Sequence, residues 1–286
     1  MRLYGNKVIE IIVRTFINCF FEGIVFIYSY MSDSSLILKV LTYNIHKGFS
    51  ATNSRFVLHE IKDLLRQVDS DIIFLQEVHG DHTISKKEFD WPNNRQFEFL
   101  ADQVWDHHAY AKNAIYKSGH HGNAILSKYP IVGWENINVS LMKSASRSLL
   151  HGTIHIPEAN QNVHVICVHL GLFERERERQ LTVLSKRIQS HVPENEPLII
   201  AGDFNDWRGR AEYHLHQDLG VKEVFKTTCG AYARTFPAWL PILSMDRIYF
   251  RGLEVIQGRH LFGQPWHRLS DHIPLLSEFK LTKREK

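Results

Sequence analysis

The residues of this chain best suited to chemistry stand where apolar runs stop. Leu36–Tyr43 ends in Asn44, followed by Ile45-His46-Lys47-Gly48, and Asp71–Leu75 ends in Gln76-Glu77. Val163–Val168 ends in His169, and Leu198–Ala201 runs into Gly202-Asp203-Phe204-Asn205-Asp206. Near the C-terminus come Ser244-Met245-Asp246-Arg247 and Ser270-Asp271-His272-Ile273-Pro274. Loops at strand ends can carry reactive groups on a rigid scaffold. A carboxylate so soon after the four apolar residues Ile72–Leu75, as at Glu77, is costly to bury unless paired or bound to a cation. Hard divalent ions such as magnesium take oxygen ligands of this sort. Asp203 and Asn205 are two apart, so an extended backbone would turn both to one face. A carboxylate and an amide there can orient a water or a phosphoryl oxygen. Asp271 sets an acid beside the imidazole of His272, and Asp246 is a candidate to hold that ring by hydrogen bonding. Each residue alone has a plainer reading: Asn44 as a turn former, Glu77 as a salt-bridged acid, His169 as a satisfied core histidine.

The elements that must position these groups alternate between strand-like and helix-like patterns. Strands are expected at Leu36–Tyr43, Asp71–Leu75, His108–Ile115, Ala124–Ser127, Ile131–Val139, Leu149–Ile156, Val163–His169, Leu198–Ala201, Met245–Phe250 and Ile273–Phe279. Val57, Ile61, Leu64, Leu65 and Val68 follow a helical period behind a cap at Asn53 or Ser54. A second helix fits Phe97–Trp105. A third, Glu174–Gln189, opens on a Glu-Arg alternation that reads as a solvated face. Many strands and few helices suggest two sheets packed face to face with helices outside.

Taken together and in this order, the segments resemble the endonuclease/exonuclease/phosphatase superfamily, to which deoxyribonuclease I, exonuclease III-type repair nucleases, inositol polyphosphate 5-phosphatases and neutral sphingomyelinases belong. The matching stretches are YNIHKG at 43–48, LQEV at 75–78, GNAILSKYPI at 122–131, SRSLLHGTI at 146–154, VHLGL at 168–172, GDFND at 202–206, SMDRIYF at 244–250 and SDHIPL at 270–275. Within the superfamily they are most similar to the bacterial YbhP-like group. The resemblance implies an α/β (α+β) fold of the deoxyribonuclease I type: a four-layer sandwich of two mixed β-sheets flanked by helices, with the site at one end. It implies Glu77 as the principal ligand of Mg2+ (or Mn2+ in its place), with Asn44 and Asp271 nearby. Asp203 would orient or deprotonate the attacking water, and Asn205 would help fix it. His272, held by Asp246, and His169 would contact the phosphate, and Arg147 would add a cation. Asn44, His46, Arg147 and Asn123 are the expected substrate contacts. Some nuclease members carry an acid where this chain has His46, which leaves a second metal position open.

Composition sets the frame. The chain has 286 residues, 44% of them hydrophobic and 23% charged, which is ordinary for a globular protein, and a net charge of +3 is too small to argue for nucleic acid. Three cysteines give no disulfide framework, which favours a reducing, cytoplasmic setting. Residues 1–35 are set apart as an N-terminal extension and 36–286 as the catalytic domain. In the extension, Ile11–Tyr30 is apolar but broken by Arg14, Asn18 and Glu22, so a spanning helix is disfavoured. It reads as residues ahead of a start at Met31, as an interfacial membrane anchor through residues 11–30, or as a cleaved signal. A monomer is expected. The substrate is a phosphate ester, with nucleic acid as the leading class and phospholipid or inositol head groups as the second. A catalytically dead binding relative is the third reading. Lys112, Lys117, Lys128, Lys143 and Arg147 could line a nucleic-acid groove. Trp239–Leu243 is either a lipid or partner contact or plain core.

Overall fold

The computed structural model describes residues 35–82, 91–116, 119–140 and 147–282. The expectations for residues 1–34, Lys117 and Lys143 lie outside them. Twelve strands form two six-stranded sheets. The first takes β1 (Leu36–Asn44), β2 (Ile72–His82), β3 (His107–Tyr116), β4 (Gly119–Ser127), β11 (Glu254–His260) and β12 (Leu275–Leu281), in the order β11-β12-β1-β2-β4-β3. The second takes β5 (Ile131–Asn138), β6 (Ser148–Ile156), β7 (Gln161–His169), β8 (Leu198–Asp203), β9 (Lys222–Glu223) and β10 (Asp246–Arg251), in the order β5-β6-β7-β8-β10-β9. Both sheets are mixed: β1 pairs parallel with β2 and β7 parallel with β8, while their other pairings are antiparallel.

Side-chain alternation sorts the strands into layers. Leu38, Val40, Ile72, Phe74 and Ile125 of the first sheet meet Val163, Val165, Cys167, Ile199, Ala201, Ile248 and Phe250 of the second in one buried cluster. The opposite parity of the first sheet, including Leu41, Tyr43, Ile73 and Leu75, packs on helices α1 (Leu58–Val68) and α2 (Gln96–Ala101). The opposite parity of the second, including Ile166, Val168, Leu198 and Ile200, packs on α3 (Glu174–His191) and α4 (Ala211–Leu219). The result is the expected four-layer sandwich. Two short helices, α5 (Val224–Cys229) and α6 (Trp266–Leu269), and two 3-10 turns, His46–Gly48 and Pro157–Ala159, complete the described elements.

The structure departs from the sequence reading in several places. Helix α1 starts at Leu58 with Val57 at its cap position and no side-chain cap, so neither Asn53 nor Ser54 caps it. Strands β9 and β11 and helices α4, α5 and α6 were not anticipated, and the helix expected over Phe97–Trp105 ends at Ala101; β11 is an edge strand of mixed exposure with a weak apolar pattern. The charged helix is not simply solvated. Glu176 and Arg177 are buried, and Arg177 Nη1 donates to the carbonyls of Gly171 and Leu172 at 3.2 and 2.5 Å. Gln180 Oε1 accepts from Gly171 N at 2.8 Å. That face of α3 clamps the loop that follows His169.

Trp105 ties the first sheet's helical layer to the strands. It is 1% exposed, and its Nε1 donates to Ser70 O at 2.8 Å. Trp105→Ala should destabilise the protein by about 3–5 kcal/mol. The loss should appear in urea denaturation as a lower midpoint at an unchanged slope.

Candidate active site

The site is the polar end of the inter-sheet core. Along β1 the inward positions run Leu38, Val40, Thr42, Asn44; along β7 they run Val163, Val165, Cys167, His169. Strand β8 gives Ile199, Ala201, Asp203, and β10, read backwards, gives Phe250, Ile248, Asp246. Register then aligns the last members. His169 pairs with Asp203 across the parallel β7–β8 ladder, and Asp203 pairs with Asp246 across the antiparallel β8–β10 ladder. Cross-strand partners project from the same face, so two carboxylates and an imidazole form one row. Gly202 allows this close pairing: its φ is +145°, and an added Cβ would lie 2.0 Å from Val168 O.

Glu77 arrives differently. Ile72, Phe74 and Gln76 face inward, so regular alternation would turn Glu77 outward to the helices. A register shift between Leu75 and Val78 breaks the alternation, and Val78 packs in the helix-side cluster with Leu75. Glu77 has φ +55° within this bulge. Bulges re-aim side chains in this way, and here the carboxylate is turned toward the inter-sheet seam. His46, Lys47 and Asn205 also have positive φ, so four of the eight described non-glycine residues with this strained backbone lie at the site.

Asp203, 2% exposed, is the hub. Its Oδ2 accepts from Asn44 Nδ2 at 3.3 Å, a contact that crosses from one sheet to the other. The same oxygen lies 3.5 Å from His169 Nε2 and 3.8 Å from His272 Nε2. Its Oδ1 accepts from Asn205 N at 2.9 Å. His272 Nδ1 is 2.8 Å from Asp246 Oδ2, as expected of an oriented imidazole. Ser270, which sequence reasoning missed, joins the pieces: its hydroxyl donates to Asn44 O at 2.7 Å, contacts Asp271 Oδ1 at 3.3 Å and accepts from His272 N at 3.2 Å. Asn205 sits near Asp203 through this turn, not through strand alternation, because the strand ends at Asp203. Its Nδ2 donates to Leu170 O at 2.9 Å.

Burial pushes the Asp203 carboxyl up to about 7; the positive charge of His272 opposes this, and the negative charge of Asp246 adds to it. Burial works against charge on His272, but Asp246 and Asp203 outweigh it and hold the ring protonated, with a pKa raised to about 10. His169 goes the other way: burial and the charge of Arg147 keep it well below its ordinary value and so neutral. Burial disfavours the Glu77 anion too, yet nearby positive charge holds it below the usual carboxylate range. With His169 neutral, the charge that remains is the Lys47 ammonium, 2.7 Å from Glu77 Oε2.

The residues match the model of the Endonuclease/Exonuclease/phosphatase family over 41–272. The chain belongs to that family. It is 45% identical over 244 residues to YbhP of Escherichia coli K12, covering 85% of this chain and 96% of that protein. The fold is shared with an endonuclease/exonuclease/phosphatase from Beutenbergia cavernae (TM-score 0.71, 19% identity, 86% of this chain and 72% of that one). It is also shared with D. rerio TDP2 complexed with single-strand DNA product (TM-score 0.65, 18% identity, 85% and 98%). The human Nocturnin catalytic domain with bound sulfate is alike to the same degree (TM-score 0.65, 20% identity, 85% and 93%). At these identities the solved structures speak for the fold.

Other expected family residues fall at varied distances from the hub. His46 Nδ1 is 4.0 Å from Asp271 Oδ1 and 3.3 Å from Ser50 O, and its N–H bonds the Asn44 side chain at 3.1 Å. Arg147 lies close enough to lower the pKa of both His169 and His121. Asn123 is fully buried opposite the Glu77 bulge, with its Nδ2 donating to Ser148 O at 3.1 Å across the sheets. Of the expected groove residues, Lys128 sits at the far end of β4, paired with Asp69 and Asp71, whereas Lys112 pairs in register with Gly122, level with the Glu77 bulge. Lys47 and His121 went unforeseen. Lys47 follows the strand in a left-handed turn, a conformation its residue type does not signal.

For a cation, the donor chemistry offers two places. Oxygens of Glu77, Asp271 and Asn44 suit a hard ion. A tighter group, Asp203, Asp246 and His272, has ligand atoms within 4.8 Å of one another. There His272 Nδ1 is already committed to Asp246, so that group is better suited to moving a proton. The Glu77 charge is balanced by Lys47, so the fold does not need a metal to hold that acid. EDTA should therefore leave the thermal midpoint of the protein within about 2 °C; a large fall would assign the cation a structural role. Asp246→Asn should bring the His272 pKa down toward or below its ordinary value, read by NMR titration of the ring.

Proposed function

We propose that the chain is a divalent-cation-dependent phosphodiesterase in which Asp203 takes the proton of the attacking water and His272 stabilises charge growing on the phosphate. The observation that carries this reading is the shared Asp203 Oδ2, approached by Asn44, His169 and His272 inside a family site. A base whose pKa is raised toward neutrality can accept a proton at working pH and give it up again. A protonated imidazole fixed by Asp246 offers a preorganised N–H toward a developing negative oxygen. Asn44 and Asn205 keep the Asp203 oxygens oriented, and neutral His169 can donate or accept without adding charge.

Mg2+, with Mn2+ as its substitute, would be held by oxygens of Glu77, Asp271 and Asn44, where it would neutralise phosphate oxygens and so ease attack by an anionic nucleophile. Nucleic acid is one candidate substrate, supported by the family and by TDP2, which was crystallised with single-strand DNA product. Phospholipid head groups are the other, supported by apolar side chains exposed at the site end.

Asp203→Asn should lower kcat on bis(p-nitrophenyl) phosphate by about 10²–10⁴-fold. His272→Ala should lower it by about 10²–10³-fold. Both variants should keep the wild-type circular dichroism spectrum; retained activity in either would remove its assigned role. Activity should vanish in EDTA and return with Mg2+ or Mn2+. As a base, Asp203 must be unprotonated, so kcat/KM should rise with pH through about 7. His272 must stay protonated, so a decline should follow toward pH 10. Both limbs belong to the coupled pair. A rate flat from pH 5 to 9 would contradict the assignment.

A further inference from the structure

Exposed apolar side chains gather at the site end of the sandwich. Trp239, Leu240 and Ile242 are 68%, 51% and 57% exposed, which overturns the plain-core reading of this loop. Phe262 is 55% exposed. Both loops are pinned to the catalytic segment. Ala238 N donates to Asp271 O at 2.8 Å and Ile273 N to Thr235 O at 2.9 Å, while Leu261 N donates to Pro274 O at 3.0 Å. The Phe236 ring packs 5.0 Å from His272. Leu172, Phe173 and Trp207, on the loops that follow His169 and Asp203, are also exposed.

The charge pattern of the two loops is one-sided. Residues 230–245 and 256–270 contain no Asp or Glu, whereas Arg234, Arg259 and Arg268 are all exposed there. None of these three arginines has an ion-pair partner among the described residues. Between α5 and β11 lies a cavity of about 580 Å³, lined by Phe225, Tyr232, Ala233 and Pro241 together with Arg234 and Arg259. Its volume is within the range that holds a small ligand.

We propose that the loops carrying Trp239, Leu240, Ile242 and Phe262 dock the active site onto an anionic phospholipid surface, where Asp203 and His272 meet a lipid phosphate ester. The inference rests on the phosphodiesterase reading for that ester. Tryptophan and branched aliphatic side chains suit the boundary between head groups and acyl chains. Arginines without acidic neighbours suit lipid phosphates, each adding roughly a factor of five to partitioning. Nucleic acid could use the arginines and stack on Trp239 and Phe262, but it gives no reason for the exposed aliphatic side chains of Leu240 and Ile242, which an acyl-chain boundary would cover.

The test is sedimentation of the full chain with vesicles of phosphatidylglycerol and phosphatidylcholine in equal parts, beside pure phosphatidylcholine. The wild type should bind the anionic vesicles, and more weakly the neutral ones. The triple variant Trp239→Ser/Leu240→Ser/Ile242→Ser and the double variant Arg234→Glu/Arg259→Glu should each reduce binding at least fivefold. Hydrolysis of soluble bis(p-nitrophenyl) phosphate should stay within twofold. If the triple variant loses that soluble activity, it has misfolded, and the double variant, which changes only exposed side chains, decides. Variants that bind vesicles like the wild type would overturn the proposal, because residues 1–34 or another surface would then hold the membrane. Loss of binding to a single-stranded oligonucleotide with vesicle binding unchanged would overturn it in favour of nucleic acid. Patch-dependent vesicle binding by a wild type that cannot hydrolyse the soluble diester would sink the phosphodiesterase reading and leave the docking surface standing.

Discussion

Holding the Asp203 carboxylate inside the seam between two sheets is the constraint to which the rest of the site answers. Asp203 and Asp246 are neighbours in register and both almost completely buried, so their charges repel in a medium that screens poorly. His272 relieves this by standing against both, close to Asp246 and within 4 Å of Asp203. The imidazolium is thereby stabilised by the acids, and the acids by the imidazolium. Removal of His272 alone would leave two buried acids without their counter-charge, whereas loss of either acid still leaves the imidazolium one partner. The Asn44 amide and the Asn205 N–H supply the neutral donors that the carboxylate still lacks.

This arrangement makes the architecture and the chemistry inseparable. Asn44 comes from the first sheet and Asp203 from the second, so their hydrogen bond exists only while the sheets stay closed. The apolar cluster below, running from Phe74 and Ile125 to Cys167 and Ile199, keeps them closed. It also excludes water from beneath the site, which strengthens each polar contact above it. On the helical side, α3 clamps the loop after His169 through Arg177 and Gln180. What reads in isolation as a solubilising charge run thus also fixes one wall of the catalytic row.

The alternation of the strands explains how much was legible in advance. For Asn44, His169, Asp203 and Asp246, the sequence carries the parity of the core straight into the polar residue, so type and position agree. Glu77 was visible as an acid after an apolar run, but its direction was not, because a bulge leaves no distinctive residue type in Gln76-Glu77. The pairing of Asp246 with His272 could be guessed from chemistry alone; Ser270 as the link between Asn44 and Asp271 could not, since serine has so many roles. Lys128 misled for a physical reason. Sequence proximity said nothing of strand direction, and β4 runs away from the site, carrying Lys128 to the far end.

Strain and charge balance meet at Glu77. Regular β geometry would have sent this acid toward α1 and α2, into the apolar layer that packs beneath them. Turning it inward costs a left-handed backbone conformation, and bringing Lys47 to it costs another. A protein that needed only a stable sandwich would gain by straightening both turns. That two strained residues face each other as a close ion pair is therefore better explained by the place than by the pair. The carboxylate stands ionised at the mouth of the seam, near the Asp203 hub, with a displaceable ammonium as its counter-charge. On the function proposed above, such a site would be stable without a divalent cation and open to receiving one.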